Sequence, residues 1–492
     1  MNIKQAKEEL KHTIQAYTAK DAYGNYRVPM IRQRPVLLMG PPGIGKTAIM
    51  EQIAKECGIA LVSYTITHHT RQSAIGLPFI ETKKYGGRDY SITEYTMSEI
   101  IASVYDRMEA TGLSEGILFI DEINCVSETL APTMLQFLQG KTFGTHKVPE
   151  GWIIVAAGNP PEYNKSVRDF DIVTLDRVKK IDVKEDYEIW KEYAYEKNLH
   201  PAIISYLEIR KEDFYVIETT IDGKQFVTAR GWEDLSQMMI MYDELGIAMT
   251  EEVVVQYLQH DRVAKDFANY LDLYDKYQKI YKVDEILNGS IKLSAIDSLK
   301  NAEFDEKISM VSMLISKIAA DMKKALSEDA FTNVLFKSLK EVQQANSVEV
   351  VLKRRQAEFE TKRDLDMLDV DQQIELSRLI SVLESYMPVF AEGGFDQVKA
   401  VFGEQVALRK SLLMKAGDEL ANVFAFLEEA FGEGQELVWF VTELTANYHT
   451  AAYISRFGSE KYFYYNKELL LVEKDRELQN EIEEIRDLLK YM

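Results

Sequence analysis

The sequence has no run of about 18 consecutive apolar residues, so no membrane-spanning helix is expected. Its opening, MNIKQAKEELKHTIQAY, alternates charged and apolar residues at helical spacing and lacks the apolar core of a secretory signal. Cysteine is scarce: Cys57 and Cys125 are the only two in 492 residues. They stand far apart, which excludes a disulfide framework and a cysteine metal cluster. Together these absences point to a reducing, cytoplasmic compartment. His68 and His69 form an adjacent pair, but no further ligand stands in register with them, which argues against a metal site. Positive charge is in deficit, with 58 Lys and Arg against 79 Asp and Glu, a net charge of −21. Such a chain repels phosphate backbones, which disfavours generic nucleic-acid binding, and the excess acid keeps a large assembly soluble. Low-complexity linkers and short internal repeats are missing too. The length is enough for roughly three domains, and only the rhythm of apolar residues is left to mark them.

That rhythm is clear in the first third. VLLM (36–39), IALVSYTI (59–66), ILFID (117–121), WIIVAAGN (152–159) and VKKIDV (178–183) read as buried strands. Helical patterns over 46–57, 96–111 and 128–139 alternate with them. Strands alternating with helices predict a parallel sheet covered on both faces. Two segments interrupt the alternation. Residues 78–97 read as a hairpin turning at Gly86-Gly87, and GKTFGTHKVPEG (140–151) as a second hairpin or loop. From 183 the pattern is mainly helical, with a small hairpin near Asp222-Gly223. Beyond 285 it is almost all helix, with Ile308, Val311, Leu314, Ile315 and Ile318 on one face. The run KDRELQNEIEEIRDLLKYM (474–492) reads as a charged amphipathic helix, packed on its own domain or offered to a partner.

The sequence GPPGIGKTA (40–48) lies between the first strand and the first helix. Gly40, Gly43 and Gly45 let the backbone approach a ligand closely, so that successive N–H groups and a helix N-terminus form an anion cradle. Gly40, Pro41, Pro42, Gly43, Ile44, Gly45, Lys46, Thr47 and Ala48 are therefore the expected nucleotide-binding loop. Lys46 supplies charge for the β- and γ-phosphates, and the Thr47 hydroxyl is a ligand for Mg²⁺. Downstream, ILFIDE carries Asp121 and Glu122 to the carboxyl end of a buried strand, beside the loop in a sheet of this kind. Asp121 would hold Mg²⁺ through water, and Glu122 would polarise the attacking water. The fourth strand ends at Asn159, an amide suited to orienting a water near the γ-phosphate or, alternatively, to opening an Asn-Pro turn.

GPPGIGKT, ILFIDE and AAGN, in that order and spacing, resemble the AAA+ ATPases, and the details look like the MoxR-like branch, related to magnesium-chelatase subunits and dynein-related modules. THHTRQSAIGLP (67–78) resembles the stretch after that branch's second strand. The segment 78–97 resembles its helix-2 insert, and 140–151 its insert before the fourth strand. VTLDRV (173–178) is similar to LLDRF, whose arginine reaches the neighbouring subunit's nucleotide, which points to Arg177, with Arg168 close by as a second candidate. TARGWEDL (228–235) is similar to SPRA at the start of a lid helix, which points to Arg230 as a contact to the γ-phosphate in its own subunit. An arginine so placed stabilises charge on the departing phosphoryl group; Arg177 paired with Asp176 or another surface carboxylate is the alternative.

The expected fold is thus α/β: a P-loop AAA+ core with a five-stranded parallel sheet over 1–182, a helical lid over 183–284, and an α-helical region of unknown role over 285–492. The resemblance implies a Mg²⁺-dependent ATPase that assembles as a homo-oligomer, a hexameric ring, and remodels or matures a client protein, often with a von Willebrand factor A-type partner. Two other readings stand beside it. One is a nucleic-acid motor using Lys83, Lys84 and Arg88 of the first hairpin; the other is a scaffold that hydrolyses ATP slowly and acts by assembling.

Overall fold

The structure is a computed structural model describing residues 1–66, 74, 76–143, 145–163, 170–220, 223–290, 293–364, 368 and 370–467. His68, His69, Arg168, Asp222 and the run 474–492 lie outside these residues. The chain divides into two compact units, one of Met1–Ile189 with Thr228–Arg230, the other of Trp190–Val227 with Gly231–Met492.

Among the described residues the first unit contains nine strands: β1 (Val36–Met39), β2 (Ala60–Thr65), β3 (Pro78–Tyr85), β4 (Arg88–Tyr95), β5 (Gly116–Asp121), β6 (Thr142–Phe143), β7 (His146–Lys147), β8 (Trp152–Gly158) and β9 (Lys179–Asp182). The five expected strands make one sheet in the order β2-β5-β8-β1-β9, every neighbouring pair parallel. Both expected hairpins are present, β3–β4 turning at Gly86-Gly87 and the short pair β6–β7.

Alternation along each central strand decides which face it serves. Leu37, Leu118, Ile120, Ile154 and Ala156 pack on one face, against Ile100, Ile101 and Val104 of the helix Glu99–Thr111 and Met134, Phe137 and Leu138 of the helix Ala131–Gly140. Val36, Leu38, Ile117, Phe119, Ile153 and Val155 pack on the other, against Ala6, Leu10 and Ile14 of the helix Ile3–Thr18 and Ile49, Met50 and Ile53 of the helix Ala48–Cys57. A strand apolar at every position is what a sheet buried on both sides requires. The helices start later than their apolar periodicity suggests, and local chemistry explains one of the starts. The expected helix from 96 begins at Glu99, because Ser98 takes an extended conformation and its hydroxyl accepts from the Ile100 N–H, capping the first turn.

Among the described residues the second unit is helical apart from one hairpin, Val216–Thr220 with Gly223–Val227. Its longest helices are Phe304–Ala345 and Val370–Phe431, the latter broken at Gly394, whose φ of 67° and ψ of −159° are not helical. Tyr206 and Trp232 each meet Phe267 with ring centroids 5.3 Å apart, and the Trp232 Nε1 donates to the Phe214 carbonyl at 3.1 Å. No helix among the described residues is long and apolar enough to cross a membrane.

Candidate functional site

The sheet order places β5, β8 and β1 side by side, so the residues that follow their carboxyl ends converge. This edge is where open parallel sheets hold ligands, at the point where the chain passes from a central strand to an edge strand. Here β1 is central and its successor β2 is at the edge.

Beyond Met39 the backbone turns through the glycine-rich loop. Gly43 and Gly45 take φ of 74° and 89°, conformations a side chain rarely adopts. Gly40 is needed for a different reason. A Cβ there would lie 2.7 Å from the Val183 carbonyl oxygen, so only glycine fits where the loop leaves the sheet. The helix begins at Ala48, which leaves Lys46 and Thr47 in the turn that feeds it. Lys46 is 8% exposed; its Nζ donates to the carbonyls of Gly40 and Pro41 at 2.9 and 2.7 Å and to Asn159 Oδ1 at 2.9 Å. Burial lowers the pKa of this ammonium to about 8, with Asp121 opposing the shift and Arg230 adding to it. The Thr47 hydroxyl donates to Asp121 Oδ2 at 2.9 Å, across from the end of β1 to the end of β5. Two hydrogen bonds therefore join three strand ends: Lys46 to Asn159 and Thr47 to Asp121.

Glu122 sits in the left-handed region, φ 56° and ψ 35°, with its N–H donating to Asp121 Oδ1 at 2.9 Å. A glutamate at positive φ is strained, and strain of this kind collects where the surrounding structure fixes a side chain for chemistry. The residue opens a single turn of 3₁₀ helix, Ile123–Cys125. Inside that turn Asn124 is 4% exposed, and its Nδ2 donates to the Asn159 main-chain carbonyl at 2.7 Å. Asn124 is absent from the sequence expectations; the one available signal was an amide three positions beyond the acidic strand end.

The two arginines are placed differently. Arg230 is exposed and belongs with the first unit; a Cβ on Gly43 would lie 3.3 Å from the Arg230 and Thr228 β-carbons. The chain around Arg230 thus packs directly on the phosphate loop. Arg177 is exposed and donates to Gln139 Oε1, and its charge is among the causes that lower the Asp171 pKa. It precedes β9, in which Lys179 pairs with Val36 and Asp182 with Met39. The phosphate loop leaves from Met39. Arg177 therefore lies beyond the opposite end of the strand pair, which spans about 10 Å for three residue steps. The fold does not bring Arg177 to its own chain's loop.

The group fits a nucleoside triphosphate with Mg²⁺. A desolvated cation, a loop of N–H groups and a helix start form an anion site, while Thr47 and Asp121 offer the hard oxygen donors that Mg²⁺ takes. Among the described residues no cluster of three or more His, Cys, Asp or Glu exists to cage a metal alone. Residues 36–175 match the family model of the ATPase family associated with various cellular activities (AAA). The segment is similar to an AAA domain. With the strand order, the match shows an α/β P-loop AAA fold and supports a nucleotide-dependent AAA+ ATPase. No curated protein matches the chain.

Proposed function

We propose that the protein is a ring-forming, Mg²⁺-dependent ATPase of the MoxR-like kind that couples ATP hydrolysis to remodelling a partner protein. The observation that carries the ATPase reading is the pair of hydrogen bonds by which Lys46 meets Asn159 and Thr47 meets Asp121. Lys46 and the loop from Gly40 to Ala48 bind the triphosphate. Thr47 and Asp121 would hold Mg²⁺, which when bound would neutralise charge on the phosphate oxygens. Glu122 takes a proton from the attacking water as its oxygen bonds to the γ-phosphorus and the bond to the bridging oxygen breaks, giving ADP and phosphate. Asn159 orients that water, and Arg230 contacts the γ-phosphate within the subunit.

Arg177 acts on a neighbouring subunit's nucleotide. Its position beyond the far end of the β1–β9 pair supports this, as do the exposed apolar side chains of Ile172 and Val173 just before it, a surface suited to burial between subunits. The hairpins β3–β4 and β6–β7 support the MoxR-like assignment. The first exposes Phe79, Ile80, Tyr85 and Tyr90, and two of its three cations are paired within it, Lys83 with Glu94 at 2.5 Å and Lys84 with Asp89 at 3.8 Å. Apolar exposure with internally paired charge favours a protein client over a nucleic acid. A von Willebrand factor A-type protein is the client class implied by the resemblance. In this reading 183–284 is the lid and 285–492 a specialised helical region.

Mixing tests the arrangement. Lys46→Ala and Arg177→Ala proteins should each be inactive alone. Combined, with subunit exchange shown by energy transfer, they should recover turnover, because an arginine supplied in trans contributes about 10³ or more in rate. Proven exchange with no recovery at any ratio removes the trans assignment, and Arg168 becomes the residue to test.

A further inference from the structure

We propose that Asn124 is a positioning residue for hydrolysis, fixing Asn159 relative to Glu122; this rests on the ATPase reading above. Asn124 lies in the turn that Glu122 opens, and the Cys125 N–H closes that turn on the Glu122 carbonyl at 2.8 Å. From there its Nδ2 reaches the Asn159 carbonyl at 2.7 Å, tying the end of β5 to the end of β8. On the other side of Asn159 the chain continues as Pro160-Pro161, which have no N–H groups to donate. The Asn159 peptide is therefore held from the Asn124 side, and its side-chain Oδ1 is left to receive Lys46 at 2.9 Å.

Stability does not account for an asparagine here. Asn124 is 4% exposed, and its Oδ1 is a buried acceptor with no hydrogen-bond partner among the described residues. An unpaired buried amide oxygen is destabilising, and an apolar side chain of the same shape would avoid that cost. The neighbouring backbone is shaped around this side chain: a Cβ on Gly158 would lie 2.5 Å from Asn124 Oδ1. A buried, half-satisfied amide that spans the two strand ends bearing Glu122 and Asn159, and is accommodated by a glycine, is explained by the register it imposes on them.

The test compares Asn124→Leu, which keeps the approximate shape and removes both the donor and the unpaired acceptor, with Asn124→Asp, which keeps the volume, replaces the donor by an acceptor and adds a negative charge. ATP turnover, ATP affinity measured separately by calorimetry, and the thermal midpoint are read for each. Both variants should lose about 10- to 100-fold in kcat, the scale of a misplaced catalytic group. ATP affinity should stay within about twofold, since the phosphate loop is untouched, and the Asn124→Leu midpoint should change little, because removing the unpaired acceptor offsets the hydrogen bond lost to the Asn159 carbonyl. Gly158→Ala, whose Cβ displaces Asn124, should show the same kinetic loss with Asn124 present. Normal kcat in Asn124→Leu overturns the proposal. So does a parallel fall of kcat, affinity and midpoint in both variants, which is the signature of a structural role. Lys46→Ala is run alongside. If it still turns over ATP, the site reading fails and this proposal with it; if it is inactive while Asn124→Leu is normal, only the positioning role fails.

Discussion

Two lysines, one in each unit, are buried almost equally and have opposite electrostatics. Lys46 is 8% exposed, and its Nζ donates to two carbonyls and an amide oxygen. Lys191, 5% exposed, donates to Glu208 at 2.7 Å and Glu443 at 2.9 Å, and Glu443 also accepts from Tyr195 at 2.6 Å. Burial alone lowers an ammonium pKa; at Lys46 it prevails and brings the value to about 8, whereas at Lys191 Glu443 and Glu208 outweigh it and the pKa rises. The second pattern recurs in the helical unit, where Glu328 meets Arg378 at 2.9 Å and Asp329 meets Arg409. In that unit buried charges are balanced within the fold and join helices. In the α/β unit, among the described residues, two buried cations lack a neutralising carboxylate pair: Lys46 at the glycine-rich loop, and Lys141, 3% exposed, which donates to Gln33 Oε1 at 3.0 Å and whose pKa burial likewise lowers to about 8. A buried charge therefore signals chemistry only when its neighbours fail to neutralise it.

Substitution at each lysine tests this contrast. Lys191→Met leaves two carboxylates buried without their cation, and should cost about 3–5 kcal/mol in a denaturant titration. Lys46→Met removes a desolvated charge that Asp121 only partly offsets, so it should cost clearly less stability than Lys191→Met while abolishing ATP binding. Equal destabilisation by the two would erase the distinction. A sharper result comes from Glu122→Gln, which keeps shape and hydrogen bonding but not the charge. It should bind ATP–Mg²⁺ normally and hydrolyse it about 10²-fold more slowly. Loss of binding as well would make Glu122 a structural or metal-binding residue.

The smaller effects concern protonation and discrimination. With a ligand-free pKa of about 8, Lys46 is already charged below that pH, and nucleotide binding there takes up no proton. Above it binding must also restore the proton, so calorimetry should show ATP affinity level below about pH 8 and falling by up to about tenfold per pH unit above. The sign for the nucleotide-free protein is the reverse. A lysine depressed from 10.5 to about 8 opposes folding fully below pH 8, and that opposition fades between the two values as pH rises. An affinity that is flat across pH 8 would place Lys46 away from the phosphates. Arg230→Ala should weaken ATP but not ADP by roughly tenfold, the scale of one charge-assisted hydrogen bond. An unchanged ATP-to-ADP ratio removes its γ-phosphate role.

Much of the α/β unit was legible because its signals are local. Four of the five sheet strands are short, largely apolar runs within a residue or two of their structural limits, while β9 has only Ile181 as an apolar position, and the loop from Gly40 to Thr47 is written in glycine spacing and a lysine. The ends of helices were less so, since Ser98 caps by its own backbone conformation and not by a change in periodicity. Asn124 was illegible for a physical reason. Its partner, Asn159, is 35 positions away, and an asparagine after a strand looks the same whether it makes a turn or clamps a neighbouring strand. The helical unit shows the same limit on a larger scale. Apolar spacing announces helices beyond 285, but nothing in it tells that Lys191 will meet Glu443 across 252 positions.

The sequence by itself determined the elements and the chemistry of the phosphate loop, because hydrophobic alternation, glycine freedom and a lysine before a helix act over a few residues. Only the tertiary structure decided which carboxyl ends lie together, because strand order is set by packing two apolar faces at once. That order brought Lys46 to Asn159 and Thr47 to Asp121, and it held Arg177 at the far end of the sheet. The same long-range packing decided which buried charges are neutralised and which are not.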